Sequence, residues 1–257
     1  MTDSDVLVVG GGVAGLCAAT YTARAGLDTL VVDREGRSPS GGRTESGYGG
    51  DSILRRNAHL ENVPGFPLGV NSNTFLDLLT EGAAESGAER RNGRVVDVTG
   101  RVGDFEATLD DGESVGAARI VAASWSDAAY LTSLGVTTRS AGSKEFVVTD
   151  EEGRTDVDGV YAAGRLAETE HQTVVVAGDG ASVGITVVRD ADVPFYHDWV
   201  APEGYFTDRD REVPPGCVEL PEAERARREE RSIDAMRRHF EGPHPAGQST
   251  HPSLEDD

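Results

Sequence analysis

Val6-Leu-Val-Val9-Gly10-Gly-Gly12-Val13-Ala14-Gly15 is the stretch that decides the fold. Its apolar run predicts a buried strand, and Gly10-x-Gly12-x-x-Gly15 predicts a tight turn into a helix through Arg24. A second apolar strand, Thr29 to Val32, ends at Asp33. Gly10 permits the turn, Gly12 lets the backbone approach a pyrophosphate, and Gly15 lets helix and strand pack closely. The pattern predicts a βαβ dinucleotide-binding unit.

Asp33 narrows the choice of dinucleotide. A carboxylate at the end of the second strand can accept hydrogen bonds from an adenosine ribose. The same negative charge repels a 2′-phosphate, so the sequence favours FAD or NAD over NADP.

The rest of the first 191 residues continues an α/β pattern. A helix is predicted over Ser72 to Ser86, and another after Gly178. Short alternating runs separated by turn signals predict an antiparallel meander and two later strands, at Arg94 to Val98, Phe105 to Leu109, Glu113 to Ala122, and near Phe146 and Val160. We therefore expect a Rossmann-like FAD/NAD(P)-binding domain over residues 1–191, with a parallel sheet, helices and a meander.

Residues 192–257 differ in composition and are interpreted as an extension. They begin with an aromatic segment, continue as a charged helix from Glu222 to Phe240, and end in a polar tail that we expect to be disordered after Gly242. The aromatic rings must be buried on the cofactor face, on their own domain or on a second subunit. A homodimer is one expectation that follows.

Four segments outside the βαβ unit resemble one known family. They are Gly41-Gly42-Arg43, Glu61-Asn62-Val-Pro-Gly-Phe-Pro67, Thr155-Asp-Val-Asp-Gly-Val-Tyr-Ala-Ala-Gly164, and His171-Gln172-Thr173. Together with the glycine loop they resemble thioredoxin reductase and its low-molecular-weight flavoprotein relatives over roughly residues 4–190. The resemblance implies FAD as the cofactor, with site residues Gly10, Gly12, Val13, Ala14, Gly15, Asp33, Arg34, Gly42, Arg43, Asn62, Val96, Gly164, Arg165, Gln172 and Thr173.

The chain also departs from that family. The sequence contains neither a Cys-x-x-Cys nor a second Gly-x-Gly-x-x-Gly where the family has its dithiol and its NAD(P)H domain; the later Gly178-Asp-Gly180 is interpreted as the opening of a flavin-domain helix. Arg165 stands where the family has an aspartate that binds the ribityl chain. One interpretation is that Arg165 donates to the flavin instead. The other is a decayed site in which Arg165 pairs with a surface acid.

Two classes of function follow. The first is a single-domain FAD oxidoreductase of unknown substrate that passes electrons from an external donor to an acceptor, with catalytic residues not identified. The second is a non-catalytic binding or assembly module with a degenerate flavin site. Asn62, Gln172 and the Gly178 helix favour the enzyme, because a mere nucleotide scaffold does not need isoalloxazine-side features.

Charge and composition exclude several other classes. The 24 basic and 45 acidic residues give a net charge of −21, which makes nucleic acids and anionic membranes poor partners. The sequence has no run of about 18 apolar residues and no basic leader, so we expect an intracellular, cytoplasmic protein. Cys17 and Cys217 are too few for a disulfide framework, and His239, His244 and His251 lack ligand spacing, so no metal site is predicted.

The acidic balance predicts salt-dependent stability. Lys144 is the only lysine and acids crowd the polar positions, a composition typical of halophilic proteins. Self-repulsion acts over about 10 Å at 0.1 M salt and over about 3 Å at 1 M. We expect the melting temperature to rise steeply between low and molar KCl in a thermal melt. A melting temperature that is the same at both concentrations would contradict this prediction.

Overall fold

The computed structural model describes residues 3–34, 52–142, 144–195 and 197–248. Its helices are α1 (Val13–Arg24), α2 (Ser72–Glu85), α3 (Thr173–Asp190) and α4 (Glu222–His239). Its strands are β1 (Ser4–Val9), β2 (Thr29–Asp33), β3 (His59–Leu60), β4 (Val70–Asn71), β5 (Glu89–Asn92), β6 (Val95–Arg101), β7 (Asp104–Leu109), β8 (Ser114–Ala122), β9 (Thr138–Ala141), β10 (Lys144–Val147), β11 (Val160–Ala162), β12 (Trp199–Pro202) and β13 (Cys217–Leu220).

A parallel sheet with strand order β5-β2-β1-β8-β11 forms the centre of the molecule. The apolar run of β1 is buried on both faces, as expected of a central parallel strand. Strand β8 belongs to two layers. Its second half pairs with β11, while its first half continues antiparallel into β7 and β6. The predicted combination of a parallel sheet and a meander is confirmed.

The helices cover one face of this sheet. Helices α1 and α3 pack on each other and on the apolar side chains of β1, β2 and β8. The other face packs under the meander, where Phe105, Ile120 and Tyr130 are fully buried. The carboxyl ends of the parallel strands therefore open at one edge between the two layers.

Helix α3 begins five residues before the predicted position. It starts at Thr173, so the prediction of a helix opening at Gly178 is wrong. Gly178 and Gly180 lie inside the helix. A Cβ at Gly180 would lie 2.2 Å from the carbonyl oxygen of Ala14, so this glycine allows α3 to cross α1 closely.

Strands β5 and β9 had no clear signal in the sequence, whereas the strand predicted near Phe146 is β10. The polar strand β5 extends the parallel sheet beside β2. Strands β9 and β10 form an antiparallel hairpin in the stretch between the meander and β11. The sequence indicated only a short connection and one strand there.

The aromatic segment forms a small substructure of its own. Strand β12 pairs in parallel with β13, and the carboxylate of Glu219 accepts hydrogen bonds from the backbone N–H groups of Gly204, Phe206 and Thr207. The rings of Trp199 and Tyr205 pack with their centroids 5.8 Å apart. An ion pair between Arg24 and Asp198 joins the segment to α1.

Helix α4 docks on α2 through charged side chains. Arg231 pairs with Glu85, and Arg238 and His239 both pair with Glu81. His239, followed by Arg238, holds the pKa of Glu81 below its usual range. At the start of the tail that was predicted to be disordered, His244 contacts Asp77 at 2.9 Å; the tail beyond residue 248 lies outside the described residues.

None of the helices in the described part of the chain is both long and apolar enough to cross a bilayer.

The crossing of α1 and α3 makes a testable prediction. Gly180→Ala places a methyl group 2.2 Å from a backbone oxygen and should destabilise the fold by on the order of 1–3 kcal/mol or more. Gly178→Ala is the matched control, because its Cβ meets no atom within 4 Å and alanine is about 1 kcal/mol better than glycine inside a helix. Denaturant unfolding of both variants measures the difference. Equal effects would contradict the close crossing.

Candidate functional site

A cavity of about 750 Å³ opens at the carboxyl ends of the parallel strands. Its floor is formed where β1, β2, β8 and β11 end, at Val9, Asp33, Ala123 and Ala163. Ligands of open α/β sheets bind at this edge, because the strand order reverses there and leaves a crevice. The volume lies within the usual range for small-molecule sites.

The glycine loop lines the cavity where β1 passes into α1. Gly10 has a φ of +112°, and a Cβ at this position would lie 2.6 Å from the carbonyl oxygen of Ala123. Gly12 is the N-cap of α1, and a Cβ there would meet only the hydroxyl of Ser52, at 3.9 Å. The loop is therefore tightly packed where Gly10 meets the backbone of Ala123, and it is open where Gly12 faces the cavity. The N–H groups at the start of α1 are available to an anion.

Asp33 and Arg34 line the cavity at the end of β2. Arg90 of β5 donates to Asp33 at 3.1 Å, and Arg34 donates to Asp110 at 2.6 Å. The Asp33 carboxylate lies against Gly11, where a Cβ would be 2.5 Å from Oδ2. These contacts orient Asp33, whose second oxygen can accept from a ribose hydroxyl.

Asn62 and Gln172 meet on another part of the wall. The Asn62 side-chain amide donates to Oε1 of Gln172 at 2.9 Å. Gln172 is the N-cap of α3, and Thr173 and Val176 from the first turn also face the cavity. The pair joins the loop after residue 60 to the beginning of α3, so two segments distant in sequence share one surface.

His171 lies beside Trp125, with ring centroids 4.7 Å apart. Partial burial lowers the pKa of His171, and the positive charges of Arg165 and Lys144 lower it further. Both effects favour the neutral form of the imidazole. Trp125 has a φ of +65°, which is rare for a bulky side chain.

Arg165 lies on the cavity wall with its Cζ atom 4.8 Å from the centroid of the Phe146 ring. This is cation–π distance. Among the residues that the structure describes, no carboxylate lies within 4 Å of its guanidinium group. The pairing with a surface acid that a decayed site would show is therefore not seen in that part of the chain.

The predicted site residues divide into three groups. Those that line the cavity are Gly10, Gly12, Val13, Ala14, Asp33, Arg34, Asn62, Arg165, Gln172 and Thr173. Three others lie near it without lining it. Gly15 packs against Gly10, the N–H of Gly164 donates to Asp179 at 2.6 Å, and Val96 is 44% exposed. Gly42 and Arg43 lie outside the described residues.

The position of Val96 has a local cause. The pairing of β6 with β7 shifts between Val95 and Asp97, so Val96 is the extra residue of a β-bulge. Its neighbour Val95 faces the cavity in its place.

Sequence reasoning missed several cavity residues that follow β8. Ser124, Trp125 and Tyr130 line the wall, and the Tyr130 hydroxyl bonds to Ser124 at 2.9 Å. Lys144 of the β9–β10 hairpin also lines it. No motif marked these residues. The aromatic residues described in the extension lie away from the cavity, so they are not buried on the cofactor face.

Comparison with known proteins agrees with this geometry. Residues 5–141 match the model of a family described as FAD dependent oxidoreductase. This chain belongs to that family. Thioredoxin reductase from Treponema pallidum is 32% identical over 111 residues, which cover 43% of this chain and 32% of that protein. The chain therefore spans only about a third of the length of this relative.

Solved structures show the same fold. An oxidoreductase from Agrobacterium tumefaciens superposes with a TM-score of 0.61 at 16% identity, covering 74% of this chain and 99% of that one. A thioredoxin reductase from Gloeobacter violaceus superposes with a TM-score of 0.59 at 15% identity, covering 76% of this chain and 97% of that one. The chain thus has a thioredoxin reductase-like fold with a Rossmann-like core.

The cavity fits the FAD of this family. The open space in front of Gly12 and the N-terminus of α1 suit a pyrophosphate, and Asp33 suits the adenosine ribose. Asn62 and Gln172 offer amide groups, which can both donate and accept, to the flavin ring.

Gly12→Val tests this assignment. The valine side chain should fill the phosphate path and abolish FAD binding, while the fold survives because no backbone atom lies within 4 Å of the new Cβ. FAD titration and a thermal melt measure the two effects. Gly82→Val on the exposed surface of α2 is the control, and it should bind FAD as the wild type does. FAD affinity unchanged by Gly12→Val would remove the pyrophosphate from this loop.

Proposed function

We propose that this chain is a single-domain flavoenzyme that passes electrons through FAD from an external donor to an acceptor. In this proposal it acts without a dithiol and without an NAD(P)H domain of its own. One observation carries the proposal: a single cavity is lined both by the nucleotide-binding residues, Gly12 and Asp33, and by the Asn62–Gln172 pair.

The cysteines support the absence of a dithiol. Both are free. Burial raises the pKa of Cys17 to about 11, so its thiol is protonated and unreactive at neutral pH. Cys217 lies in β13 of the extension, and neither cysteine lines the cavity. A relay of two electrons through a cysteine pair beside the flavin has no support in this arrangement.

FAD supplies the redox chemistry when bound, and the protein supplies binding, orientation and electrostatics. Gly12 and the α1 N-terminus hold the pyrophosphate, and Asp33 holds the ribose. Arg165 donates to the pyrophosphate or ribityl oxygens in place of the family's carboxylate. The donor is an external protein or small reductant, for example a reduced ferredoxin or a thiol.

A non-catalytic module is the second candidate. The presence of Arg165 where the family has an aspartate favours it, because a guanidinium cannot accept the hydrogen bond that an aspartate accepts. The two candidates differ in whether the chain retains FAD.

The proposal predicts a yellow protein with about one FAD per chain that NADPH does not reduce. Dithionite should bleach the flavin at once, whereas NADPH should leave the visible spectrum unchanged over minutes. Cys17→Ser/Cys217→Ser should behave as the wild type does, because no thiol takes part. Stopped-flow absorbance measures the response to dithionite, the response to NADPH and the behaviour of the double cysteine variant.

Two outcomes would count against it. Rapid bleaching by NADPH would contradict the absence of a nicotinamide site. A wild-type protein that takes up no FAD in a titration would favour the non-catalytic module.

A further inference from the structure

Basic side chains on the cavity wall differ in their partners. Arg34 is paired with Asp110, and Arg94 is paired with Asp127 at 2.8 Å. Lys144 and Arg165 also line the cavity, but among the described residues no carboxylate lies within 4 Å of either. In a chain with 45 acidic and 24 basic residues, two cations that line one cavity without an acidic partner in the described part of the chain are unexpected.

The two cations share one surface. Lys144 and Phe146 are two residues apart on β10, so their side chains lie on the same face of the strand. The guanidinium of Arg165 lies over the Phe146 ring, while Val147 packs into the core on the opposite face. Lys144 on β10 and Arg165 on the neighbouring turn Gly164–Ala167, against which β10 packs, therefore both line the cavity.

The surroundings of this surface are suited to an anion. Arg165, His171 and Lys144 all line this cavity. Glu145 is the neighbouring acid on the wall, and its carboxylate accepts the Thr138 hydroxyl at 2.8 Å. Trp125, packed on His171, gives the cavity an aromatic face.

We propose that Lys144, Arg165 and the ring of Trp125 form a subsite for a small organic carboxylate. Ammonium and guanidinium groups donate charge-assisted hydrogen bonds to a carboxylate, and the aromatic face of Trp125 accommodates the carbon skeleton that carries it. The assignment of this carboxylate to the substrate rests on the proposed flavin function. The binding of the carboxylate does not.

Lys144 distinguishes this subsite from the flavin site. Arg165 follows Gly164, at which a Cβ would lie 2.8 Å from the Cβ of Ala14 in the glycine loop, so Arg165 is near the pyrophosphate position. Lys144 lies on the hairpin beyond Phe146. We therefore expect Arg165 to serve both ligands and Lys144 to serve the carboxylate.

Trp125 supplies the readout. The chain has two tryptophans, and Trp199 lies in the extension, so Trp199→Phe leaves Trp125 as the single fluorophore of its kind. Benzoate, its neutral analogue benzamide and inorganic phosphate are titrated at fixed ionic strength into the FAD-free protein and into the FAD-saturated protein. FAD affinity is measured separately by titration.

We expect benzoate to change the fluorescence saturably and benzamide to have no such effect. Lys144→Gln should weaken benzoate binding by about tenfold or more and leave FAD affinity within about twofold of wild type. Arg165→Ala should weaken both. Val148→Gln, an exposed change just after β10, is the control and should alter neither.

Three results would overturn the proposal. Equal binding of benzamide would mean that charge plays no part. Phosphate binding as tightly as benzoate would mean a general anion site. A loss of FAD affinity in Lys144→Gln would place Lys144 in the flavin site. If no form binds FAD but benzoate still binds through Lys144, the flavin proposal fails and the subsite stands.

Discussion

Close approach of backbones around α1 is the constraint on which the rest of this structure depends. A Cβ at Gly15 would lie 1.9 Å from the carbonyl oxygen of Gly10, and a Cβ at Gly180 would lie 2.2 Å from that of Ala14. Glycine at both positions lets α1 sit against the β1 loop on one side and α3 on the other. The start of α1 is thereby directed at the cavity. A hydrogen bond from Gly164 to Asp179 ties the end of β11 to the same helix pair.

The fold was predictable wherever local pattern and tertiary environment agree. Strand β1 is an unbroken apolar run because both of its faces are buried. The strands of the meander alternate between apolar and polar residues because only one of their faces is buried. Strand β5 has the polar sequence Glu89-Arg-Arg-Asn92, and its place comes from pairing with β2. The start of α3 was mispredicted because glycines usually weaken helices, whereas here Gly180 allows α3 to cross α1 closely.

The residues of the candidate site also divide into those that the sequence predicted and those that it did not. The glycine loop, Asp33, Asn62 and Gln172 belong to motifs whose spacing is set by the ligand, so the sequence was sufficient to find them. The residues between β8 and β11 belong to no motif. Trp125 reaches the cavity from the loop that follows β8, and Lys144 reaches it because the β9–β10 hairpin packs against Gly164–Ala167. Such a placement depends on tertiary contacts that no local pattern encodes.

The charge distribution limits how this cavity can attract a ligand. At a net charge of −21 the long-range field repels anions, so the cations inside the cavity cannot steer an anionic ligand from a distance in dilute salt. Molar salt shortens the range of that repulsion to about 3 Å, while contacts inside a partly enclosed cavity are screened much less. High salt therefore removes the barrier to entry and leaves the direct contacts with Lys144 and Arg165. For a chain with this composition, an anion site can act by contact geometry alone.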